Sequence, residues 1–238
     1  MGSPVMIMGE SGSGKTYSIK SLDPNDVGIF LCEKSRLPFR KSFPTYQVRN
    51  QVDDRGQVVR QAQIIFSILK QPRKKIYIID DSQYLMVNEF FDRAGESGYG
   101  KFTEIGCHFR DLIHLVNSEL PEDVIVYFLH HTDQDSSTGR VKAKTIGRVL
   151  DDKLTLEGCF DIVLRTAVED GQYVFRTQSD GLDTAKTPEG MFDSLTIPND
   201  LALVDRAIRE YYGLPELSKS GETPEKKGEK KDAPDPKA

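Results

Sequence analysis

The sequence predicts an α/β fold, with a mostly parallel central sheet flanked by helices and an antiparallel hairpin late in the chain. Short apolar runs typical of buried strands alternate with stretches whose apolar residues recur at helical spacing. The early apolar runs end in polar or charged residues, as expected at the ligand-binding edge of an open α/β sheet. Two later runs are joined by Glu169, Asp170 and Gly171, which predict the turn of the hairpin.

Length and composition narrow the class of protein. The 238 residues fit one large α/β domain, which we place at 1–214, and the Lys-, Glu- and Pro-rich residues 215–238 predict a disordered charged tail. A net charge of −5 means that any nucleic-acid contact must come from a local basic patch. The separated cysteines Cys32, Cys107 and Cys159 favour a reducing cytoplasm, and no apolar run is long enough to predict a membrane partner.

The first strand leads into the most informative motif. The apolar run Val5–Met8 is followed by Gly9, four further residues and then Gly14, Lys15 and Thr16, which open a short helix predicted to end before Asp23. This G-x-x-x-x-G-K-[ST] spacing between a strand and a helix is typical of a loop whose backbone amides cradle phosphates. The alternative is a Gly/Ser-rich surface turn, but the flanking elements and a later acidic strand argue against it.

The motif assigns roles to its residues. Gly9 and Gly14 are expected to take dihedral angles that a Cβ atom would obstruct. Lys15 is expected to reach the β- and γ-phosphates and the Thr16 hydroxyl to bind Mg²⁺. The predicted nucleotide-binding residues are Gly9, Glu10, Ser11, Gly12, Ser13, Gly14, Lys15, Thr16 and Tyr17.

Two further strands carry acids to the same edge. The run 27–32 delivers Glu33 to its C-terminal end, and after a helix predicted over 58–69 the strand 76–79 ends in Asp80, Asp81 and Ser82. A carboxylate at this position orients Mg²⁺ in phosphate-loop enzymes. Asp-Asp-Ser is also a good N-cap for a helix over 83–91, and the two roles are compatible.

The next segments are a glycine-rich loop from Arg93 to Lys101, a long helix over 102–120 and a strand over 124–129 that ends in His130 and His131. A polar residue at such a strand end can sense the γ-phosphate, and His131 is the better candidate. The alternative is that the histidines only stabilise the structure.

The last segments are a basic strip, the hairpin and a final helix. Cations alternate with small or apolar residues through Arg140, Lys142, Lys144 and Arg148, which predicts a strand with one basic face. Together with Arg93 and Lys101 this strip is the candidate nucleic-acid contact, and a solvated sheet edge blunted by lysine is the alternative. A helix over 201–212 is predicted to be capped by Asn199.

Several short sequence segments, taken together, resemble those of the RecA-like P-loop ATPases of tailed bacteriophages. These ATPases are related to the Sak-type group linked to single-strand annealing and recombination. The resemblance covers residues 5–212 and does not extend into the tail. The segments that carry it are Gly9–Thr16, Pro38–Arg40, Ile79–Tyr84, Lys101–Gly106, Lys144–Gly147, Leu156–Gly158, Thr184–Pro188 and Ile197–Leu201.

The resemblance implies a RecA-like core, ATP and Mg²⁺ as cofactors, and assembly as a ring or filament with ATP at subunit interfaces. It implies action on DNA, single-stranded above all, with phage or host replication or recombination proteins as partners in the bacterial cytoplasm. The chain departs from well-studied relatives in showing no polymerisation domain before the phosphate loop and no clear pair of DNA-binding loops, which leaves filament formation and strand exchange open.

The resemblance also implies roles for acids and cations. In the RecA-like register Glu33 activates the attacking water and Asp81 holds Mg²⁺, whereas the broader additional-strand ATPases would use Asp80 for Mg²⁺ and Asp81 as the base. A cation from the next subunit would neutralise the developing charge. The candidates for that cation are Arg176 and Lys186, with Arg148 behind them.

The expected function is therefore a Mg²⁺-dependent ATPase that acts on DNA in recombination, annealing, repair or replication. One alternative is a nucleotide-gated binding or loader module with little turnover, which would recruit a partner through its charged tail. Another is a small-molecule (nucleotide) kinase, for which residues 136–148 could be taken as a lid.

Overall fold

The computed structural model describes residues 1–147, 151 and 154–217. The helices are α1 (Gln61–Leu69), α2 (Tyr84–Asp92), α3 (Gly100–Glu119) and α4 (Leu201–Tyr212), with short 3₁₀ helices at Thr16–Ser21 and Leu156–Cys159. The strands are β1 (Ser3–Gly9), β2 (Val27–Leu31), β3 (Thr45–Gln47), β4 (Gln51–Val52), β5 (Val58–Val59), β6 (Ile76–Asp80), β7 (Ile125–Gln134), β8 (Val141–Ala143), β9 (Ile162–Glu169), β10 (Gln172–Arg176) and β11 (Thr196–Pro198).

A mostly parallel sheet forms the centre of the molecule. Its order is β11-β10-β9-β1-β7-β6-β2-β3, and β8 pairs antiparallel with the end of β7. The strands from β9 to β3 in this order run parallel, whereas β9, β10 and β11 pair antiparallel. The predicted α/β fold and the late hairpin are confirmed.

The register brings three strand ends to one edge. Gly9 at the end of β1 is aligned with His131 on β7, and Leu31 at the end of β2 is aligned with Asp80 on β6. Strand β7 lies between β1 and β6, so the phosphate loop and the aspartates extend from strands that are separated by a single strand. Loop and acids therefore meet at the carboxyl edge of the sheet, where open α/β sheets bind their ligands.

Both faces of the sheet are covered, because alternate residues of each strand point to opposite faces. On β1, Met6 and Met8 belong to the core beneath α1, α2 and α3, while Val5 and Ile7 belong to the core beneath α4. Ile19 anchors the 3₁₀ helix that follows the phosphate loop in this second core. The loop is thus held between a buried strand and a buried helix residue.

Several predicted boundaries change for physical reasons. The helix predicted from Val58 begins at Gln61, because Val58 and Val59 pair with β4 instead. The prediction that Asn199 caps the final helix is wrong: the Asp200 side chain accepts hydrogen bonds from the first-turn backbone amides.

The side chains of Asp80, Asp81 and Ser82 do not cap α2, which begins after Gln83 without a side-chain cap. The basic strand predicted over 140–148 is shorter than expected, because only Val141–Ala143 pairs with β7. Arg148 lies outside the described residues.

The start of the predicted tail remains in contact with the fold. The Pro215 carbonyl accepts a hydrogen bond from Arg209, and Leu217 packs against the core beneath α4. Residues 218–238 of the predicted tail lie outside the described part of the chain. No helix in the described part combines the length and the apolar character that crossing a bilayer requires.

Candidate nucleotide site

The loop after β1 owes its shape to glycine for two different reasons. Gly12 and Gly14 have positive φ angles of 79° and 98°, where a side chain would be strained. The same expectation for Gly9 is wrong, since its φ is not positive. Gly9 is required for space: a Cβ atom there would lie 1.8 Å from the Thr166 Oγ1 atom and 2.6 Å from the Ser13 Oγ atom.

Lys15 lies in the curve of this loop. Its side chain is only 6% exposed, and its Nζ atom donates to the carbonyl oxygens of Gly9 at 2.8 Å and Glu10 at 2.9 Å. Burial lowers the pKa of Lys15 to about 8, against the opposing effect of Asp81, Asp80 and Glu10. The amine therefore remains largely protonated near neutral pH, as binding of phosphate oxygens requires.

Thr16 joins the loop to the acidic strand. Its Oγ1 atom donates to the Oδ1 atom of Asp80 at 2.9 Å, and Asp80 is only 3% exposed. Burial and the neighbouring Asp81 raise the pKa of Asp80 to about 6, while the hydrogen bond from Thr16 and the charge of Lys15 oppose the shift. Asp80 is thus mostly ionised near neutral pH, in contact with the hydroxyl that the motif assigns to Mg²⁺.

The donor set suits a metal ion shared with a substrate. The described residues include no group of three or more His, Cys, Asp or Glu side chains that could hold a metal ion by themselves. Mg²⁺ is usually bound by one or two carboxylates together with substrate phosphates and water. A hydroxyl from Thr16 and a carboxylate from Asp80, with Asp81 beside them, fit that pattern.

Asp81 contacts β7. It has a φ of 57°, which is uncommon for a residue with a side chain, and its Oδ1 atom lies 3.0 Å from the Nε2 atom of His131. The ring of Tyr84 packs edge-on against His131. The strand predicted over 124–129 extends to Gln134, so His131 lies within β7 rather than at its end, and it contacts an acid.

His130 has a structural position. Its Nε2 atom lies 2.7 Å from the Lys144 carbonyl oxygen, which can only accept, so Nδ1 accepts from the Ser82 hydroxyl at 2.9 Å. Burial lowers the pKa of His130 to about 4, so the ring is neutral near pH 7. It connects the acidic strand end to Lys144 of the predicted basic strip.

Glu33 lies at the end of β2, beside the end of β6. Its Oε1 atom accepts from the Asn88 amide at 2.9 Å, and Asn88 also donates to Gln61 at 3.1 Å. Gln61 in turn donates to the backbone carbonyls of Cys32 and Val48. Sequence analysis found Glu33 but missed Asn88 and Gln61, because no local pattern marks residues that meet only in the fold.

A cavity of about 530 Å³ opens on the other side of the loop. It is bounded by the loop residues Glu10–Ser13, by Thr132 at the end of β7, by residues 165–169 of β9 and by Arg176 of β10. Arg176, predicted to act on a neighbouring subunit, therefore borders the cavity of its own chain. Lys186 does not line it and instead pairs through its backbone with Val163 near the start of β9.

Aromatic side chains close the side of the loop next to the hairpin. The Tyr17 and Tyr173 rings pack with centroids 5.5 Å apart, and a Cβ atom at Gly14 would lie 2.8 Å from the Tyr173 ring. The Lys20 amine lies 3.8 Å above the Tyr17 ring. Sequence analysis predicted Tyr17 as part of the site but missed Tyr173 and Thr166, which reach the loop from distant strands.

The predicted nucleic-acid residues are not brought together in one exposed set. Arg93 is only 8% exposed and pairs with Glu89, Glu96 and Glu104, so its charge is neutralised within the chain. The Lys101 amine donates to the carbonyl oxygens of Arg93 and Glu96.

The basic strip is divided in the same way. Lys142 pairs with Asp151 at 2.7 Å, whereas Arg140 and Lys144 are exposed. Of the five predicted nucleic-acid residues that the structure describes, these two are the best placed to meet an external phosphate.

Comparison with models of protein families and with curated protein sequences finds no match for this chain. What the site binds and does is therefore argued from its own geometry. A buried amine, a hydroxyl and two adjacent carboxylates meet at a glycine-shaped loop, an arrangement suited to a magnesium-bound polyphosphate.

Proposed function

We propose that the protein is a Mg²⁺-dependent nucleoside triphosphatase that uses ATP and holds the triphosphate at Gly9–Thr16. The contact between Thr16 Oγ1 and Asp80 Oδ1 carries the proposal, because it joins residues 64 positions apart at 2.9 Å. A surface turn would have no reason to place its hydroxyl on a buried acid. This contact supports a metal-and-phosphate site far better than the alternative of a solvated Gly/Ser turn.

The residues divide the work of binding. The loop amides and Lys15 bind the β- and γ-phosphates, and the left-handed Gly12 and Gly14 allow the backbone to curve around them. Thr16 and Asp80 hold Mg²⁺, which when bound neutralises charge on the phosphate oxygens. Asp80 takes the metal role because it contacts Thr16, whereas Asp81 contacts His131.

Asp81 then becomes the candidate general base, as in the additional-strand register. Its left-handed backbone is a strained conformation of the kind that functional sites retain, and His131 orients its carboxylate. Glu33, held by Asn88, is the second candidate for the same role. In the sheet, β7 carries the histidine and lies between β1, which leads into the loop, and β6. Asp81 follows β6 and Glu33 follows β2, so both acids lie on the opposite side of β7 from the loop.

The RecA-like class, the action on single-stranded DNA and the assembly into a ring or filament remain part of this proposal. They rest on the resemblance of the sequence, and the exposed Arg140 and Lys144 supply a local basic surface for DNA. The kinase alternative draws no support from the proposed lid. Its described part contains β8, which is hydrogen-bonded to β7 and so is part of the sheet.

The test is ATP hydrolysis by the full chain, with and without single-stranded DNA, for wild type, Lys15→Ala and Lys70→Ala, with the molecular mass recorded in the same buffers. Lys70 is an exposed lysine at the C-terminal end of α1 and serves as the control. We expect wild type and Lys70→Ala to hydrolyse ATP and Lys15→Ala to lose about 100-fold or more in rate.

The outcomes separate the parts of the proposal. Stimulation by DNA together with assembly would support the RecA-like motor. ATP hydrolysis at a rate that DNA does not change would support the triphosphatase and contradict DNA as its partner. Equal rates for wild type and Lys15→Ala would overturn the proposed function.

A further inference from the structure

Two arginines stand side by side at the wall of the cavity. Arg165 on β9 and Arg176 on β10 are directly aligned partners in the antiparallel pair, so their side chains lie on the same face of the sheet. Both border the cavity that the loop residues Glu10–Ser13 also border. Two guanidinium groups next to a phosphate loop can contact an anion through the N–H groups that their carboxylate partners leave unused.

Carboxylates hold both arginines in place. Arg165 Nη1 donates to Asp183 Oδ2 at 2.9 Å, and the side chain of Asp183 is fully buried. Arg176 donates through Nε and Nη2 to Glu169 Oε1 and through Nη1 to Asp180 Oδ2 at 2.7 Å. These bonds use one N–H group of Arg165 and three of Arg176, out of the five that a guanidinium offers.

The strand that carries Arg165 contacts the loop through the next residue, Thr166. The Thr166 hydroxyl lies 2.5 Å from the Ser13 hydroxyl and donates to the Met8 carbonyl at 3.3 Å. Thr132, on the opposite wall, directly follows His131, which contacts Asp81. The cavity therefore borders the phosphate loop of its own chain, and Thr132 on its wall is the sequence neighbour of the histidine that contacts Asp81.

We propose that Arg165 and Arg176 bind the terminal phosphate of the nucleotide held by the loop of their own subunit. The inference rests on the proposed function and changes one part of it. The sequence led us to expect Arg176 to act across a subunit interface, whereas the cavity places it next to its own loop. The charge that develops during hydrolysis is then stabilised in cis.

The oxygen of a water molecule bonds to the γ-phosphorus, and the bond from that phosphorus to the bridging oxygen breaks. The water proton passes to the Asp81 carboxylate, and the products are the nucleoside diphosphate and inorganic phosphate. The arginines form no covalent bond; they stabilise charge on the γ-phosphate oxygens.

The first experiment asks which subunit supplies the arginine. Lys15→Ala and Arg176→Gln, each expected to be inactive, are mixed and their ATP hydrolysis is measured together with the mass of the mixed species. Action in cis predicts no recovery above the sum of the two variants. Recovery to a sizeable fraction of the wild-type rate would mean that Arg176 acts in trans, and would overturn the inference while leaving the triphosphatase intact.

The second experiment measures binding of a non-hydrolysable ATP analogue and of ADP. We expect Arg176→Gln and the charge-balanced Arg165→Gln/Asp183→Asn to lower the affinity for the ATP analogue about 10- to 100-fold. The affinity for ADP should fall less than about threefold. The double variant avoids leaving a buried, unpaired Asp183. Arg110→Gln, which removes an exposed ion-paired arginine on α3, is the control.

The two proposals fail in different ways. Equal weakening of both nucleotides, or unchanged binding of the analogue, would overturn the arginine site alone. If wild type binds neither nucleotide, or if Lys15→Ala binds both as well as wild type does, the proposed function fails and the arginine site fails with it. Where Arg176→Gln does not fold, judged by thermal unfolding, Arg176→Lys keeps the positive charge and is measured in its place.

Discussion

At the scale of single residues, Asp80 and Asp81 are neighbours with different surroundings. Asp80 is buried against Thr16, while Asp81 has a left-handed backbone and contacts His131. A one-residue step along the chain therefore separates the proposed metal ligand from the proposed base. Glu33 lies beside them with its own amide partner, Asn88.

We predict that Asp81→Asn lowers kcat by about 10²- to 10⁴-fold while nucleotide affinity changes little, because a general base acts in the chemical step. Glu33→Gln should cost less than about tenfold. Single-turnover hydrolysis and equilibrium nucleotide binding measure the two quantities separately. A larger loss of kcat for Glu33→Gln than for Asp81→Asn would move the base to Glu33.

Gly9 shows how tightly the loop is fitted to β9. A methyl group there would collide with Thr166 Oγ1, so either the loop or β9 must move in Gly9→Ala. We predict a loss of about 1–3 kcal/mol in the free energy of unfolding and at least about tenfold in nucleotide affinity. Urea unfolding and nucleotide titration measure the two effects.

The double variant Gly9→Ala/Thr166→Ala removes the colliding oxygen and should recover part of both losses. Gly95→Ala is the control, since a Cβ atom at Gly95 meets nothing within 4 Å. If the double variant has the same free energy of unfolding and nucleotide affinity as Gly9→Ala, contact with Thr166 is not the reason for glycine at this position.

At the scale of secondary-structure elements, the cap of α4 links two elements near the site. The Asp200 carboxylate accepts from the Ala202 and Leu203 amides and also from the hydroxyl of Ser21, at the end of the 3₁₀ helix after the loop. Asn199, predicted as the cap, has both side-chain amide atoms buried without a hydrogen-bond partner. The cap therefore also fixes the helix that carries Thr16.

We predict that Asp200→Ala lowers the free energy of unfolding by about 1 kcal/mol, the usual cost of losing an N-cap. Asn199→Ala should cost less, because its side chain makes no hydrogen bond that can be lost. Urea unfolding of both variants and of wild type measures the two losses in the free energy of unfolding. A greater loss for Asn199→Ala would restore the cap that the sequence predicted.

His130 joins β7 to the acidic strand end, and its burial makes the fold sensitive to acid. Unfolded, the imidazole takes up a proton near pH 6.5, whereas in the fold the pKa is lowered to about 4. Between these values the unfolded chain binds more protons than the folded chain, so stability falls as the pH falls. By pH 5 the loss from this one residue is about 2 kcal/mol.

The corresponding variant is His130→Gln, whose free energy of unfolding should fall less steeply from pH 7 to pH 5 than that of wild type. His114→Gln removes an exposed histidine on α3 and should keep the wild-type slope. Unfolding is followed at each pH by denaturant titration. Parallel curves for wild type and His130→Gln would show that His130 is not held neutral by the fold.

At the scale of the whole molecule, the net charge and the position of exposed cations determine where DNA could bind. The net charge is −5, and the cations Arg93, Lys101 and Lys142 are occupied by partners within the chain. Of the predicted nucleic-acid residues that the structure describes, Arg140 and Lys144 are therefore the ones exposed and available to a nucleic-acid backbone.

We predict that Arg140→Ala/Lys144→Ala weakens binding of single-stranded DNA and lowers the slope of log K against log salt by about 1.4, or about 0.7 per phosphate contact. Lys142→Ala should change the slope less, since Asp151 already pairs with that amine. Titrations at several salt concentrations provide the slopes. An unchanged slope in the double variant would remove this strip from the DNA site.

The sequence by itself determined the features that depend on local order along the chain. Glycine spacing predicted the loop from Gly9 to Thr16, apolar runs predicted the strands that end at Glu33 and Asp80, and a turn-forming triplet predicted the hairpin. These features follow from backbone geometry and from burial with period two, which a linear pattern expresses directly.

Only the tertiary structure decided which of these residues meet. Asp80 rather than Asp81 contacts Thr16, Arg176 faces the loop of its own chain, and Arg93 is occupied by acids. Each outcome depends on sheet order, register and side-chain direction, which bring residues more than 100 positions apart, such as Ser13 and Thr166, into contact. A sequence pattern specifies which chemical groups a strand end presents, and the packing of the strands determines their partners.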